Sequence, residues 1–343
     1  MFDYLIFVGR FQPAHIGHEQ VIRTALANAR KVIILIGSSF QPRTIKNPWT
    51  HTERTNMLFA GLSLSNKDRD RVIVAPLQDQ AYNDQKWASS VQSIVDDVVR
   101  KDHFPSPTVG IIGHVKDESS YYLKLFPQWK LVEHEMNEVV NATDIRKLLF
   151  EGKSLRYLSG LLSPGAFSFI EQFTTTSEFS LLQKEYDFIE KYKKSWSAAP
   201  YPVNLVTVDA CVIQSGHVLL VKRGANPGIG LFALPGGYLN VNERVVDGMI
   251  RELREETKLK VPDPVLRGSI KASEVYDDPN RSLRGRVITH TFLIELPPGA
   301  LPPVKGGDDA VKAFWWPLSF VFNNPELFFE DHQSMIIDLA GKI

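Results

Sequence analysis

Short apolar runs of strand length recur through the first half of the chain. The first run, Tyr4 to Val8, precedes a glycine-containing turn and a stretch whose apolar residues stand at helical spacing. Three further runs follow: Val32 to Ile36, Val72 to Ala75 and Val109 to Ile112. Because strands buried on both faces have such continuous apolar runs, the pattern predicts an α/β domain with a doubly wound, Rossmann-like parallel sheet. Ligands of such sheets bind beyond the carboxyl ends of the strands.

The second half of the chain has a different pattern. From Phe179 onward apolar residues recur at helical spacing, and Pro200 and Pro202 then stop the helix. The segments Asn204 to Ile213 and His217 to Val221 have strand character and are joined by a short turn, which predicts a hairpin in an α/β domain with a mixed or antiparallel sheet. We therefore predict a first domain, a helical and proline-rich linker, and a second domain, over residues 1–178, 179–202 and 203–343.

Length and composition agree with two domains. The chain has 343 residues, of which 43% are hydrophobic, enough for two separate cores. Its 39 lysines and arginines equal its 39 aspartates and glutamates, so no global charge favours nucleic acid or an anionic membrane. The single cysteine, Cys211, lies in an apolar run and is expected to be buried. With no basic amino-terminal segment and no apolar run of membrane length, we expect a soluble, cytoplasmic protein, and the sequence leaves a homo-oligomer open.

The residues from Gly9 to His18 join the first predicted strand to the first predicted helix. A helix N-terminus offers free backbone N–H groups and the positive end of a dipole, and Gly17 would let the backbone approach a ligand closely. His15 and His18 add donors, and Arg10 can hold two oxygens at once. This chemistry suits polyphosphate, although two histidines near a turn are also common as surface or capping residues.

This run, Gly-Arg-Phe-Gln-Pro-Ala-His-Ile-Gly-His, resembles the signature of the nucleotidyltransferase superfamily. It is most similar to nicotinamide mononucleotide (NMN) adenylyltransferases of the archaeal type, over about residues 1 to 150. The resemblance implies that His15 and His18 are catalytic and that Arg10 and Gly17 bind the phosphates of ATP.

The same resemblance implies an NMN site formed by Asn47, Asp79 and Trp87. Asn47 opens an Asn-Pro-aromatic-Thr segment that ends in Glu53-Arg54, as in the family. Two alternatives stay open here. Trp87 also belongs to an apolar helical stripe and would then be a core residue, and Arg54 would be an ion-pair partner of Glu53 rather than a phosphate ligand.

The stretch Asn141 to Arg146 resembles a second signature of the family, in which serines usually occupy the positions of Asn141 and Ala142. The resemblance implies that Thr143 caps a helix and that Arg146 faces the ATP phosphates. Because Ala142 lacks the serine hydroxyl, we favour Thr143 and Arg146 over Asn141 as site residues.

A cluster of carboxylates marks the second predicted domain. Glu252, Glu255 and Glu256 stand at i, i+3 and i+4, so on a helix they share one face and repel one another. A hard divalent cation such as Mg²⁺ or Mn²⁺ relieves this repulsion, polarises a bound pyrophosphate and lowers the pKa of an attacking water. A bare Glu-x-x-Glu-Glu is also common on solvated helix faces.

The residues around this cluster resemble the Nudix box at every position but one. Gly237 and Arg251 stand in register with the glutamates, whereas Lys258 occupies the position of the usual glycine. The resemblance implies that Glu252 and Glu256 are catalytic, that all three glutamates bind metal and that Arg251 orients one of them. If Lys258 takes left-handed backbone geometry, it costs about 1 kcal/mol of local stability.

Segments downstream are similar to Nudix enzymes that act on ADP-ribose-like dinucleotides, and this resemblance covers about residues 203 to 340. It implies that Gly237, Arg281 and Arg284 bind ADP-ribose, although a solvated loop is an equal alternative for either arginine. The sequence leaves open which residue supplies an additional metal ligand or a general base: Glu274, Asp308 or Asp309.

Together the two motif sets resemble bifunctional bacterial proteins of NAD metabolism. The resemblance implies adenylyl transfer from ATP to NMN, giving NAD and pyrophosphate, and hydrolysis of ADP-ribose to AMP and ribose 5-phosphate. It also implies Mg²⁺ or Mn²⁺ at both sites. The alternatives are another substrate at the first site, such as pantetheine phosphate or an amino acid, and a Nudix domain that senses ADP-ribose without cleaving it. The sequence lacks the Lys-Met-Ser-Lys-Ser loop of a synthetase, and its glutamates are intact, unlike those of most such sensors.

Overall fold

The computed structural model describes residues 1–114, 118–134, 140–307 and 310–343, so Asp308 and Asp309 lie outside the described residues. The chain divides into two compact units, Met1–Gln183 and Lys184–Ile343. The division falls inside the helix Ser177–Ser195, in the region that the sequence predicts to be a linker helix.

The first unit is a parallel sheet with helices in its connections. Its strands are β1 (Phe2–Gly9), β2 (Ala29–Ser39), β3 (Val72–Gln78), β4 (Val109–Gly113) and β5 (Lys130–Glu133). Its helices are α1 (Ile16–Asn28), α2 (His51–Leu62), α3 (Asn66–Arg69), α4 (Asp84–Lys101), α5 (Ala142–Phe150), α6 (Pro164–Phe173) and the start of α7 (Ser177–Ser195). Short 3-10 helices span Glu118–Lys124 and Leu155–Leu158.

The predicted doubly wound sheet is confirmed. The described strands run parallel in the order β3-β2-β1-β4-β5. Each predicted apolar run lies inside a strand, and Leu5, Ile6, Ile33 and Ile34 are fully buried. Because the strand order reverses between β1 and β4, a crevice is expected beyond the carboxyl end of β1, where the Gly9 to His18 turn leads into α1.

The second unit is built on a mixed sheet. Its strands are β6 (Asn204–Gln214), β7 (His217–Arg223), β8 (Phe232–Ala233), β9 (Gly236–Tyr238), β10 (Ile270–Tyr276), β11 (Arg286–Glu295) and β12 (Ala310–Pro317). Besides the end of α7, its helices are α8 (Val245–Thr257), α9 (Asp263–Gly268), α10 (Leu318–Asn323) and α11 (His332–Ala340), with a 3-10 turn at Pro325–Leu327.

The sheet order is β10-β11-β6-β7-β12, with β8 beside β7 and β9 beside β6. The pairing of β11 with β6 is parallel and the other described pairings are antiparallel, so the predicted mixed sheet is confirmed. The predicted hairpin joins β6 and β7, with Ile213 opposite Val218.

The helix α8 packs its apolar face against the sheet of the second unit. Met249 and Leu253 are fully buried in one cluster with Val208 and Leu219 of the sheet. Cys211 is fully buried, as predicted. Within the described ranges, the helices are too short or too polar to cross a bilayer.

Candidate active sites

The candidate site of the first unit contains two imidazole side chains, His15 and His18. His15 is the N-cap residue of α1 and is 5% exposed, and the centroid of its ring lies 3.7 Å from that of His18. The backbone N–H of His15 donates to Nδ1 of His18 at 3.3 Å, so in the neutral ring the proton is on Nε2. Burial and the neighbouring His15 hold the pKa of His18 well below its ordinary value. His18 is therefore a neutral donor through Nε2.

This arrangement predicts that His18 stays neutral throughout the physiological pH range. In an NMR titration of the folded protein, its ring nitrogens should keep the shifts of the Nε2–H tautomer at pH 6.5, whereas the denatured chain should be about half protonated there. The depressed pKa also means that protonation of His18 destabilises the fold as the pH falls below about 6.5. A His18 ring that titrates at its ordinary pKa in the folded protein would contradict the assignment.

Arginine side chains converge on the turn after β1. Arg146 is 8% exposed and donates to the carbonyl oxygen of Gln12 at 2.5 Å and to Oγ1 of Thr143 at 3.2 Å. Burial, together with the charge of Arg10, lowers the pKa of Arg54 and of Arg146 to about 10. A concentration of partly desolvated positive charge favours an anionic ligand. Gly17 is buried in the first turn of α1, which follows this turn directly.

The alternative role given to Arg54 is wrong. Glu53 pairs with Arg43, whose guanidinium donates to both carboxylate oxygens at 2.7 and 2.8 Å. Arg54 is 1% exposed and its guanidinium donates to main-chain carbonyl oxygens of three residues: Arg10, Gly37 and Ser38. Adjacent residues on a helix point in different directions. The side chain of Arg54 therefore reaches the turn after β1, whereas that of Glu53 does not.

The predicted capping role of Thr143 is also wrong. The N-cap residue of α5 is Asn141, whose side-chain oxygen accepts from the backbone N–H of Thr143 at 3.0 Å. Asparagine is among the best N-cap residues, so it takes over the function of the serine that is usual at this position. Thr143 lies in the first turn, where its hydroxyl accepts from Arg146.

The residues predicted to bind NMN have different surroundings. Asn47 is half-buried, and its Oδ1 is buried without a hydrogen-bond partner among the described residues. Asp79 accepts from the backbone N–H of Ser38 at 2.9 Å. Trp87 is half-buried on α4. The centroid of its ring lies 5.9 Å from that of Tyr122 and 6.0 Å from that of Phe126. Asn47 thus keeps an open acceptor, whereas Trp87 has the contacts expected of the core-packing alternative.

In the second unit, one guanidinium holds several carboxylates. Arg251 donates to Glu243 at 2.7 Å, to Glu252 at 2.7 Å and to Glu255 at 2.9 Å. The side chains of Glu252 and Glu255 are 13% and 44% exposed. Glu252 is therefore fixed in orientation before any ligand binds, while Glu255 lies nearer to solvent.

Glu256 faces a cavity of about 250 Å³ and accepts from the backbone N–H of Gly236 at 3.0 Å. Burial, together with the nearby charge of Glu252, raises the pKa of Glu256 to about 8. A carboxylate in this setting gains from a nearby cation, because the cation offsets both the desolvation and the repulsion.

The two glycines before α8 leave room for carboxylate oxygens. A Cβ on Gly236 would lie 2.3 Å from Oδ1 of Asp209, and one on Gly237 would lie 2.5 Å from Oε1 of Glu252. Among the described residues, no three His, Cys, Asp or Glu side chains are already gathered into a metal-binding group. The oxygen donors around this glycine cradle are nevertheless of the hard kind that Mg²⁺ and Mn²⁺ prefer.

Asp209 is a site residue that the sequence reasoning missed. It is 6% exposed, lines the same cavity and accepts a hydrogen bond from the Thr289 hydroxyl. Burial raises its pKa to about 6. The signal was a single charged residue inside the apolar run of β6. His332 also lines the cavity, and its Nδ1 accepts from the backbone N–H of Leu234 at 3.1 Å. It was not predicted either, because no local sequence pattern marks it.

The two arginines predicted to bind ADP-ribose are not on a solvated loop. Arg281 is paired with Asp331 at 2.8 Å and its side chain is 3% exposed. Arg284 lies 3.5 Å from Glu330 and its side chain is 14% exposed. Both line the cavity. Glu274, by contrast, does not line it and pairs with Lys342 at 2.5 Å.

Lys258 follows α8 with a φ of 52°, in the left-handed region that favours glycine. Lys258→Gly should therefore raise the free energy of unfolding of the second unit by up to about 1 kcal/mol, measured by denaturant unfolding, and leave hydrolysis unchanged. Lys260→Gly is the matched control, because Lys260 is exposed and has an ordinary φ, and it should give no gain. Destabilisation by Lys258→Gly would mean that side-chain packing outweighs the backbone strain.

Each unit of the chain matches a known protein family. Residues 6–148 match the cytidylyltransferase-like family and residues 203–339 match the NUDIX domain. A nicotinamide/nicotinic acid mononucleotide adenylyltransferase of Acinetobacter baylyi is 42% identical over 187 residues, which are 54% of this chain and 94% of the relative. An ADP-ribose pyrophosphatase of Methanocaldococcus jannaschii is 39% identical over 133 residues, 39% of this chain and 71% of the relative.

A solved structure matches both units together. It is a bifunctional NMN adenylyltransferase/ADP ribose pyrophosphatase from Francisella tularensis, crystallised with AMP and a Mn ion. The TM-score is 0.91 and the identity 36%, over 100% of this chain and 99% of that one. From the two sites and this match along the whole sequence, we conclude that the chain belongs to the family of bifunctional NMN adenylyltransferase/ADP-ribose pyrophosphatases.

Proposed function

We propose that the first unit transfers AMP from ATP to NMN. An oxygen of the NMN 5′-phosphate attacks the α-phosphorus of ATP, the bond from that phosphorus to the bridging oxygen breaks, and pyrophosphate leaves. Negative charge grows on the non-bridging and leaving oxygens during this step. The observation that best supports the proposal is the neutral His18 donor beside converging arginines at the switch point of the sheet.

The residues of the first unit then have distinct roles. His15 and His18 donate to the oxygens on which charge grows, and Arg10 and Arg146 bind the phosphates of ATP. The unpartnered Oδ1 of Asn47 can accept a hydrogen bond from the nicotinamide amide, with Asp79 and Trp87 forming the rest of the NMN site. Mg²⁺ would accompany ATP as its counter-ion.

We propose that the second unit hydrolyses ADP-ribose. Water attacks one phosphorus of the diphosphate, the bond to the bridging oxygen breaks, and AMP and ribose 5-phosphate are released. Glu252, Glu255 and Glu256 would hold Mg²⁺ or Mn²⁺, which supplies charge neutralisation and a more acidic water. Arg251 orients the glutamates, and Arg281 and Arg284 bind the diphosphate or the terminal ribose. The partly buried Glu256 beside the glycine cradle best supports this proposal.

Product analysis of the purified chain tests both proposals. With NMN, ATP and Mg²⁺ we expect NAD and pyrophosphate, and with ADP-ribose and Mg²⁺ we expect AMP and ribose 5-phosphate. Faster turnover of pantetheine phosphate than of NMN would overturn the first proposal. Tight binding of ADP-ribose without cleavage would overturn the second and favour a sensing domain.

A further inference from the structure

The part of α7 that belongs to the second unit contributes aromatic side chains to its cavity. Phe188 and Tyr192 stand at i and i+4, so they lie on one face of the helix, and both line the cavity that contains Glu256. Their ring centroids are 6.4 Å apart and the ring planes are inclined by 24°. Phe188 is 38% exposed. The two rings therefore form an aromatic surface, the α7 wall, that is accessible to a ligand.

Hydrogen bonds hold the α7 wall in place within the second unit. The hydroxyl of Tyr192 lies 2.8 Å from the hydroxyl of Tyr238, which also accepts from Arg284 at 3.4 Å. One turn earlier along the helix from Phe188, Glu185 accepts from the backbone N–H of Gly228 at 3.2 Å. The rings are thus positioned before a ligand binds, which reduces the entropy lost on binding.

Charged residues and aromatic residues line different parts of the cavity. Asp209, Glu256, Arg281 and Arg284 supply charges suited to a cation and a diphosphate, whereas the α7 wall supplies flat apolar surface. Of the groups that ADP-ribose carries, adenine alone is planar and aromatic, and nucleobases stack on aromatic side chains regardless of base identity. The terminal ribose is polar on both faces and gains less from such a surface.

We infer that Phe188 and Tyr192 are the stacking surface for the nucleobase of the substrate. Both residues precede the region 203–339 that matches the NUDIX domain, so the requirement for a base is set from outside that domain. The inference rests on the proposed hydrolysis of ADP-ribose.

The variant Phe188→Ala tests the inference in the full chain. We expect the KM for ADP-ribose and the inhibition constant of AMP to rise by about tenfold, within the range that loss of one base-stacking contact produces. The kcat and the inhibition constant of ribose 5-phosphate should not change, because neither depends on the base. Phe188→Trp should restore AMP binding, and Tyr201→Ala, at an aromatic residue that is 80% exposed and does not line the cavity, should have no effect.

Two further measurements separate the ways in which the inference can fail. Phe188→Leu keeps apolar bulk but not a flat ring, so it should stay folded and still lose AMP affinity in calorimetry. Unchanged AMP affinity in this variant, or an equal loss for AMP and ribose 5-phosphate, would overturn the stacking role. If the wild-type chain failed to cleave ADP-ribose yet lost AMP affinity on Phe188→Ala, the proposed hydrolysis would fail and the stacking surface would stand.

Discussion

Glu256→Gln should lower kcat/KM for ADP-ribose hydrolysis by at least about a hundredfold, the scale on which enzymes lose activity when a group that acts at the reacting atoms is removed. Glutamine keeps the shape of the side chain but removes the charge that would hold a divalent cation. Glu256 accepts from the backbone N–H of Gly236, and an amide oxygen can preserve that bond. The loss should therefore come from chemistry rather than from unfolding. A steady-state assay of AMP release measures it.

Stability measurements provide the control for this variant. Burial raises the pKa of Glu256 from 4.5 in the unfolded chain to about 8 in the folded protein, so folding is more favourable when this carboxyl is protonated. The contribution of protonated Glu256 to the free energy of unfolding is complete below about pH 4.5 and is lost as the pH rises through about 8. In metal-free protein, Glu256→Gln should remove this pH dependence. Mg²⁺ should raise the Tm of the wild type and not of the variant. Glu295→Gln, at an exposed glutamate of β11, should leave hydrolysis unchanged. Full hydrolysis by Glu256→Gln would overturn the proposed role of Glu256 as a metal ligand.

His18→Ala should lower the kcat of adenylyl transfer by about a hundred- to a thousandfold, which is the usual effect of losing one donor to a developing oxyanion. The KM for ATP should change little, because the proposed bond strengthens as charge grows in the transition state. His18→Gln should recover part of the rate, since its amide can place an N–H donor near the position of the ring Nε2–H. Steady-state kinetics of NAD formation give kcat and KM separately.

A second histidine of the first unit is the matched control for His18. His103 is exposed and has a φ of 52°, a geometry that asparagine tolerates, so His103→Asn should leave adenylyl transfer unchanged. A rise in the KM for ATP at constant kcat in His18→Ala would assign His18 to ground-state binding instead. No recovery in His18→Gln would argue that the ring itself, which packs against His15, is required.

The sequence predicts the sheets of this protein well because buried strands have continuous apolar runs. The strands β1 to β4 each contain a predicted run, and the mixed sheet follows from the hairpin of β6 and β7. The places of His15 and of Glu256 also follow from local pattern, since one lies at a helix N-terminus and the other on a helix face. Such features depend on neighbours within a few residues.

Features that depend on contacts between distant segments could not be predicted. Arg54 points at the turn after β1 because α2 packs there, and no spacing in the sequence indicates this. The helix α7 has the pattern of an ordinary amphipathic linker, and that pattern does not reveal that Phe188 lines a cavity. Asp209 was detectable as a lone charge in an apolar run, but its partner Thr289 lies 80 residues away.

Two independent sites share this chain, and the sharpest test is to measure both activities on one preparation each of Glu256→Gln and His18→Ala. We expect Glu256→Gln to make NAD at the wild-type rate and to have lost ADP-ribose hydrolysis. We expect His18→Ala to hydrolyse ADP-ribose at the wild-type rate and to have lost NAD synthesis. Loss of both activities in either variant, while the protein keeps its wild-type Tm, would contradict the independence of the two sites.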